Sequence, residues 1–394
     1  MLRLALILGL LSAVGPFAID MYLPALPAIA ADFGVAEAAV QTTLTAYFLA
    51  FGVAQLFYGP MADAMGRRPP LFLGLAIFAV GSLGAAFAGT IGSLAAWRFL
   101  QGLGGAALMV VPRAVIRDRH TGTEATKLMA MIMLVISVSP MLAPLAGSGV
   151  IAVTGWRAIF FALLLAAVLS VALLSFGLEE TLAPENRRKP SLSQMLSAAR
   201  RLLSDPVFMA LTFVGGFGMA SFFVFIASAS FVYTQQFGLT PTGFSIAFAV
   251  NAIGFFSSSQ VAAPLGQRFG IGRVVRVGVS GFAITTILLA AIALSGAATF
   301  PVIVAGLLIA NAFLGVVIPT TMVLALDDHG DIAGLASSLG GTLQMLAGGL
   351  MITLTGPFFD GTATPMLLAI ALCGVIAASL CWAVLRPRPA VSEA

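Results

Sequence analysis

The segment Phe17-Ala18-Ile19-Asp20-Met21-Tyr22-Leu23-Pro24 sets one carboxylate inside an apolar stretch that runs from Leu4 to Ile29. An ionised carboxylate in hydrocarbon costs at least about 2.5 kcal/mol, so intramembrane acids face a cavity or a partner and mark ion or substrate pathways. Asp20 is the one acid that the sequence places inside the membrane. Its expected partner lies in Trp97-Arg98-Phe99-Leu100-Gln101-Gly102, an arginine among apolar residues. Counted from the external helix ends at 1.5 Å per residue, Arg98 is roughly 9 Å deep and Asp20 roughly 13 Å deep. Two unpaired charges in that layer would cost far more than a pair, so Asp20 and Arg98 are predicted to face one another. Tyr47 and Gln101, each about 14 Å in, are the expected hydrogen-bond partners of Asp20. Burial favours the neutral acid and a nearby guanidinium favours the carboxylate, so a small movement of Arg98 would load or unload a proton.

A second set of residues could hold an organic molecule. Phe222, Phe223, Phe225, Phe231 and Tyr233 crowd one apolar span, and Asn251, Asn311 and Gln344 are amides inside three others. Apolar walls with a few placed polar groups suit amphipathic small molecules, and buried amides need partners in the bundle or on a ligand. Tyr47, Phe222, Phe225, Asn251, Asn311 and Gln344 are therefore the predicted substrate contacts. Other chemistry is poorly represented. His120 and His329 sit in short polar loops and build no metal cluster, and Cys373 and Cys381 read as packing residues. No nucleophile-base or paired-carboxylate arrangement occurs in a span, so neither an enzyme nor a cofactor is expected.

These side chains need helices to hold them in a bilayer. The chain is 60% hydrophobic and only 9% charged, with a mean hydropathy of +1.07, an apolar excess that water could not solvate. Runs of about 20 apolar residues match a hydrocarbon core of about 30 Å. They recur at 4–29, 38–62, 70–89, 91–116, 124–152, 156–178, 206–234, 240–268, 273–296, 299–326, 331–357 and 362–385. Met1-Leu2-Arg3 followed by an apolar run imitates a cleaved leader, but the run continues past Asp20 and Pro24 and is read as the first span. Residues 179–205 form the longest polar stretch, within which 193–203 is predicted to be an amphipathic helix on the membrane surface.

Basic residues fix the orientation. A cytoplasmic N-terminus puts Arg67, Arg68, Arg117, Arg119, Lys127, Arg187, Arg188, Lys189, Arg200, Arg201, Arg268, Arg273, Arg276, Arg386 and Arg388 inside and only Arg157 outside, so both termini are expected in the cytoplasm. The net charge of +4 then needs anionic lipid headgroups and no nucleic acid. The halves also repeat. Gly59-Pro60-Met61-Ala62-Asp63-Ala64-Met65-Gly66-Arg67-Arg68 follows the second span, and Ala263-Pro264-Leu265-Gly266-Gln267-Arg268 follows the eighth without the acid. The expected organisation is an all-α membrane protein: a six-helix bundle over 1–178, a cytoplasmic linker over 179–205 and a second six-helix bundle over 206–394. Two such halves are the plan of a rocking transporter with its site between them near midplane.

Three motifs carry a resemblance to a family. Gly59 to Arg68 resembles the signature between spans two and three of the major facilitator superfamily, with Gly59, Asp63, Gly66, Arg67 and Arg68 in its gating positions. Asp63 is expected to face the N-terminus of span eleven, near Asp331, and the resemblance implies that this contact latches the cytoplasmic side. Arg98 followed by Gln101-Gly102 resembles the family's proton-transfer motif. Ser139-Pro140-Met141-Leu142-Ala143-Pro144-Leu145-Ala146-Gly147-Ser148 resembles the kinked antiporter motif, with Ala143 and Ser148 where glycines are usual, and places Pro140 and Pro144 in the gate. Asp20-Met21-Tyr22-Leu23-Pro24, with Arg113, Arg117-Asp118 and Gly155-Trp156-Arg157, looks like the Bcr/CflA group of drug:proton antiporters. The resemblance implies a monomer of the bacterial inner membrane exporting bicyclomycin-like or phenicol antimicrobials in exchange for protons. The rival readings are an exporter of an amino acid, dipeptide or sugar, a channel, which would need a selectivity ring and non-saturating flux, and a membrane enzyme, which would release an altered product.

Overall fold

Local capping chemistry sets where the helices begin and end in the computed structural model, which describes residues 2–120, 122–187 and 192–385. Arg188, Lys189, Arg386 and Arg388, counted above among the cytoplasmic bases, lie outside the described residues. The first half comprises α1 (Leu2–Asp20), α2 (Leu26–Phe33), α3 (Glu37–Met65), α4 (Arg68–Ala86), α5 (Ile91–Arg119), α6 (Gly122–Thr154) and α7 (Arg157–Gly177). After α8 (Leu192–Leu203) come α9 (Pro206–Phe231), α10 (Pro241–Phe269), α11 (Ile271–Leu294), α12 (Phe300–Asp327), α13 (Ala333–Thr355) and α14 (Ala363–Val384). Thr90 and Ser93 close a capping box at the start of α5, and Asp205 accepts from the amides of Val207 and Phe208 ahead of Pro206 in α9. Among the described residues there are 12 spans long and apolar enough to cross a membrane and no strand.

The first span is broken where one continuous helix was expected. α1 stops at Asp20, a 3-10 turn covers Leu23–Ala25, and α2 completes the crossing. Pro24 and Pro27 explain the break, because neither has an N–H to offer the carbonyls of Asp20 and Leu23. The Tyr22 amide turns to the Ile19 carbonyl at 3.2 Å, which leaves the Ala18 carbonyl without its helical donor. In a membrane such a freed carbonyl must find another donor within the protein.

Close helix contacts hold the broken span. A Cβ on Gly147 of α6 would lie 2.2 Å from the Met21 carbonyl, so the small residue seats α6 against the break. A Cβ on Gly102 of α5 would lie 2.4 Å from the Tyr47 carbonyl, which brings α5 against α3. The two halves meet chiefly along α3, α9 and α13. There Phe48 stacks on Phe223 with ring centroids 4.0 Å apart, Gln41 donates to the Ala227 carbonyl at 3.2 Å, and Thr342 donates to the Gly52 carbonyl at 2.6 Å. On the opposite side Ser245 of α10 donates to the Pro144 carbonyl of α6 at 2.9 Å. α8 lies where the amphipathic helix was predicted and buries Leu202 beside Phe208, Leu211, Ala336 and Leu339.

Candidate functional site

The donor that reaches the freed Ala18 carbonyl is Arg98, whose Nη1 donates to it at 3.0 Å. Arg98 has no exposed surface, and its guanidinium lies between two rings, 4.6 Å from the Tyr22 centroid and 4.4 Å from the Tyr47 centroid. Guanidinium over aromatic faces is worth about 2 kcal/mol where water is excluded. Each ring is fixed in turn. The Tyr22 hydroxyl is 2.8 Å from the Thr43 hydroxyl, and the Tyr47 hydroxyl donates to the Gly15 carbonyl at 3.1 Å. Arg98 Nη1 also donates to Gln101 Oε1, and Gln101 Nε2 donates to Ser82 Oγ at 2.7 Å.

Asp20 is the last residue of α1, two residues from both Ala18 and Tyr22 of this cluster, and is 5% exposed. The predicted ion pair with Arg98 is absent, and among the described residues Asp20 makes no hydrogen bond or ion pair. Tyr47 and Gln101 do not bond to it either, being committed to Gly15, Ser82 and Arg98. The physical reason is the helix break, which offers the guanidinium a carbonyl at the negative end of α1 and two π faces. Arg98 Nε and Nη2 remain without partners.

The predicted substrate residues divide into three places. Phe222 and Phe225 of α9 join Phe248 and Phe255 of α10, with Phe225 stacked on Phe248 at 5.7 Å and Phe222 on Phe255 at 6.2 Å. Asn251 shares the α10 face of Phe248 and Phe255; its Nδ2 returns to the Ala247 carbonyl at 3.1 Å, and its buried Oδ1 has no partner. Asn311 lies on the α12 face that meets α10 through Leu308 and Gly315, and its buried Nδ2 is also unsatisfied. Gln344 is elsewhere: a Cβ on Gly215 would lie 2.9 Å from its Nε2 and 3.1 Å from Thr321 Oγ1. Tyr47 belongs to the arginine clamp in the other half. Phe248 and Phe255 were not singled out in the sequence, although their spacing around Asn251 was visible there.

At the linker end of the first half, Arg67 is held by Asp118 through Nε at 2.7 Å and Nη2 at 2.9 Å, and by Asp63 at 2.6 Å. Asp63 pairs with Arg67 within its own half, and its side chain is 60% exposed. Glu180, unnoticed in the sequence, accepts the amide of Arg67 at 2.8 Å and that of Arg68 at 3.1 Å, capping α4. Burial pushes the Glu180 carboxyl up, but the amides of Arg67, Leu182, Arg68 and Thr181 outweigh it and hold the group below the usual glutamate range. Asp118 and Asp63 hold the Arg67 guanidinium above its ordinary range, against the opposing effect of burial. Gly66 joins the two helices at φ +96°, and a Cβ there would lie 2.6 Å from Glu180 Oε2. Gly59 has open space around it. Arg68 reaches the Ser175 carbonyl at 3.4 Å, while Pro140 and Pro144 lie within α6, where Pro144 meets α10.

The sequence model described as Major Facilitator Superfamily matches residues 8–352. The chain belongs to that superfamily. It is 35% identical over 368 residues to the MFS-type transporter YdgK of Bacillus subtilis, covering 93% of this chain and 91% of the relative. It is 31% identical to the bicyclomycin resistance protein homolog of Haemophilus influenzae, over 94% of this chain and 93% of that one. It is 29% identical to multidrug resistance protein D of Escherichia coli, over 98% and 96%. A crystal structure of a D-xylose-proton symporter superposes with a TM-score of 0.77 at 16% identity, covering 97% of each chain, and shares the fold. This is thus a multi-pass membrane transporter with the two-half major facilitator architecture.

Proposed function

We propose that this chain exports amphipathic antimicrobials, of the phenicol or bicyclomycin kind, across the bacterial inner membrane in exchange for protons. The observation that carries the reading is the buried Asp20 at the break of the first span, where Arg98 binds the Ala18 carbonyl and keeps two donors unpartnered. An isolated carboxylate buried in this way would be prohibitively costly, so Asp20 holds a proton in this arrangement. Loss of the proton creates an anion that suits the unpartnered donors Arg98 Nε and Nη2, and pairing with them pulls the guanidinium from the Ala18 carbonyl. That exchange couples proton occupancy to the geometry of the broken span. The resistance names of the relatives support drugs as cargo.

The first half, 1–178, and the second, 206–394, rock about the 179–205 linker, with both termini in the cytoplasm and the protein working as a monomer. Facing outward, Asp20 takes up a proton as drug leaves; facing inward, drug enters and the proton is released. Phe222, Phe225, Asn251 and Asn311 form the wall that receives the drug, with Gln344 below it. Gly59, Asp63, Gly66, Arg67, Arg68, Pro140 and Pro144 serve the gates. In energised inverted vesicles, phenicols or bicyclomycin should drive proton efflux that a pH-sensitive dye records. If an amino acid, dipeptide or sugar moved protons and none of the drugs did, the cargo assignment would be replaced by the physiological exporter.

A further inference from the structure

On the outer face of the second half, a groove of about 570 Å³ runs between α11, α12 and α14. Its floor is apolar, made by Val277, Gly281, Ile284 and Phe313, and its rim carries Arg273 and Arg276. The floor depends on Gly281, since a Cβ there would lie 2.4 Å from the Phe313 ring. The far wall is Trp382, whose indole N–H donates to Ser280 Oγ at 3.1 Å and whose ring lies 6.0 Å from the Arg276 guanidinium. The groove is thus built before anything enters it.

Its charge is not balanced among the described residues. Arg273 and Arg276 are one helical turn apart on the same face of α11, no acid lines the groove, and neither arginine has an ion pair or hydrogen bond among the described residues. Lys and Arg heads at the end of a membrane helix normally rest in headgroups. Here two of them stand over one apolar slot beside an indole, the residue type favoured at the membrane interface.

We propose that this groove is a binding site for an anionic phospholipid, with the phosphate between Arg273 and Arg276 and one acyl chain along Val277, Ile284 and Phe313. Planar guanidiniums suit phosphate oxygens, and each basic residue near the surface adds to the preference for an anionic headgroup. The two together predict enrichment over phosphatidylcholine of at least about tenfold. The site is separate from Asp20 and does not depend on the direction or cargo of transport.

The test uses the full chain in phosphatidylcholine vesicles containing equal mole fractions of either brominated phosphatidylglycerol or brominated phosphatidylcholine. Subtracting the fluorescence of Trp382→Phe from that of the wild type isolates the Trp382 signal. Brominated phosphatidylglycerol should quench that signal several-fold more effectively than brominated phosphatidylcholine. Arg273→Gln with Arg276→Gln should abolish the preference while leaving quenching by brominated phosphatidylcholine intact, which shows that the variant is still inserted and folded. Equal quenching by the two lipids, or a preference that survives in the double variant, would overturn the site. Displacement by inorganic phosphate, but not by chloride at the same ionic strength, would make it a free-anion site and overturn the lipid assignment.

Discussion

Arg98 Nη1 lies 3.0 Å from the carbonyl of Ala18, so the arginine of span four terminates the first half of span one. The contact links two elements whose relation is set by a missing N–H. Pro24 breaks the helix, the break frees Ala18, and the guanidinium takes the vacancy between Tyr22 and Tyr47.

Arg98→Lys keeps the charge but loses the planar fork and the ring stacking. It should lower the melting temperature of the purified protein and reduce transport by at least about tenfold, since two cation-π contacts of about 1 to 2 kcal/mol each are weakened. Thermal melts monitored by fluorescence, together with vesicle transport, measure both effects. A lysine variant with wild-type melting and transport would remove Arg98 from the account.

Glu180 gives a pH dependence of definite sign. Its carboxyl is held below the ordinary glutamate value of 4.5, so its contribution to stability is complete above that value and is lost as pH falls through the lowered one. Glu180→Gln should therefore lower the melting temperature at neutral pH, by the equivalent of about 1 to 3 kcal/mol, and cost progressively less in acid. A difference between wild type and variant that stays constant from neutral to strongly acidic pH would contradict the cap.

Gly66→Ala meets two obstacles: a backbone at φ +96° and a Cβ 2.6 Å from Glu180 Oε2. The conformational cost alone is about 1 to 3 kcal/mol, because φ +96° with ψ 173° is backbone essentially reserved for glycine. The variant should melt earlier, and combining it with Glu180→Gln should cost less than the sum of the two single changes, because both act on one cap. A double-mutant cycle on melting free energies tests this, and strict additivity would show that the two residues act independently.

Asn251 separates binding from stability. Its Oδ1 is buried without a partner, so Asn251→Leu should leave thermal stability unchanged or raise it. If the amide meets the drug, the same change should weaken apparent drug affinity by roughly tenfold, the worth of one to two hydrogen-bond energies. Transport concentration curves on a variant of intact stability decide it.

Much of the fold was legible because a bilayer constrains it so tightly. Span lengths, the prolines and the polar linker all declare themselves when hydrocarbon thickness sets the helix and backbone groups must pair internally. Depth along a helix was legible too: counting put Arg98, Tyr47 and Gln101 at similar heights, and the structure brings these three together. Azimuth was not. Counting residues gives height, but whether Arg98 turns to Asp20 or to Ala18 depends on the break, which requires following the amide of each residue to its acceptor. Glu180 was illegible because the amides it caps, those of Arg67 and Arg68, are far away in the sequence, and amides carry no sequence signature.

The central claim is that Asp20 carries the proton. Energised inverted vesicles holding wild type or Asp20→Asn, given the drug that moves protons in the wild type, test it most directly. The variant, near-isosteric and neutral, should insert and melt like the wild type while drug-dependent proton efflux disappears. Full proton-coupled transport by Asp20→Asn would contradict the account and move the proton to another group.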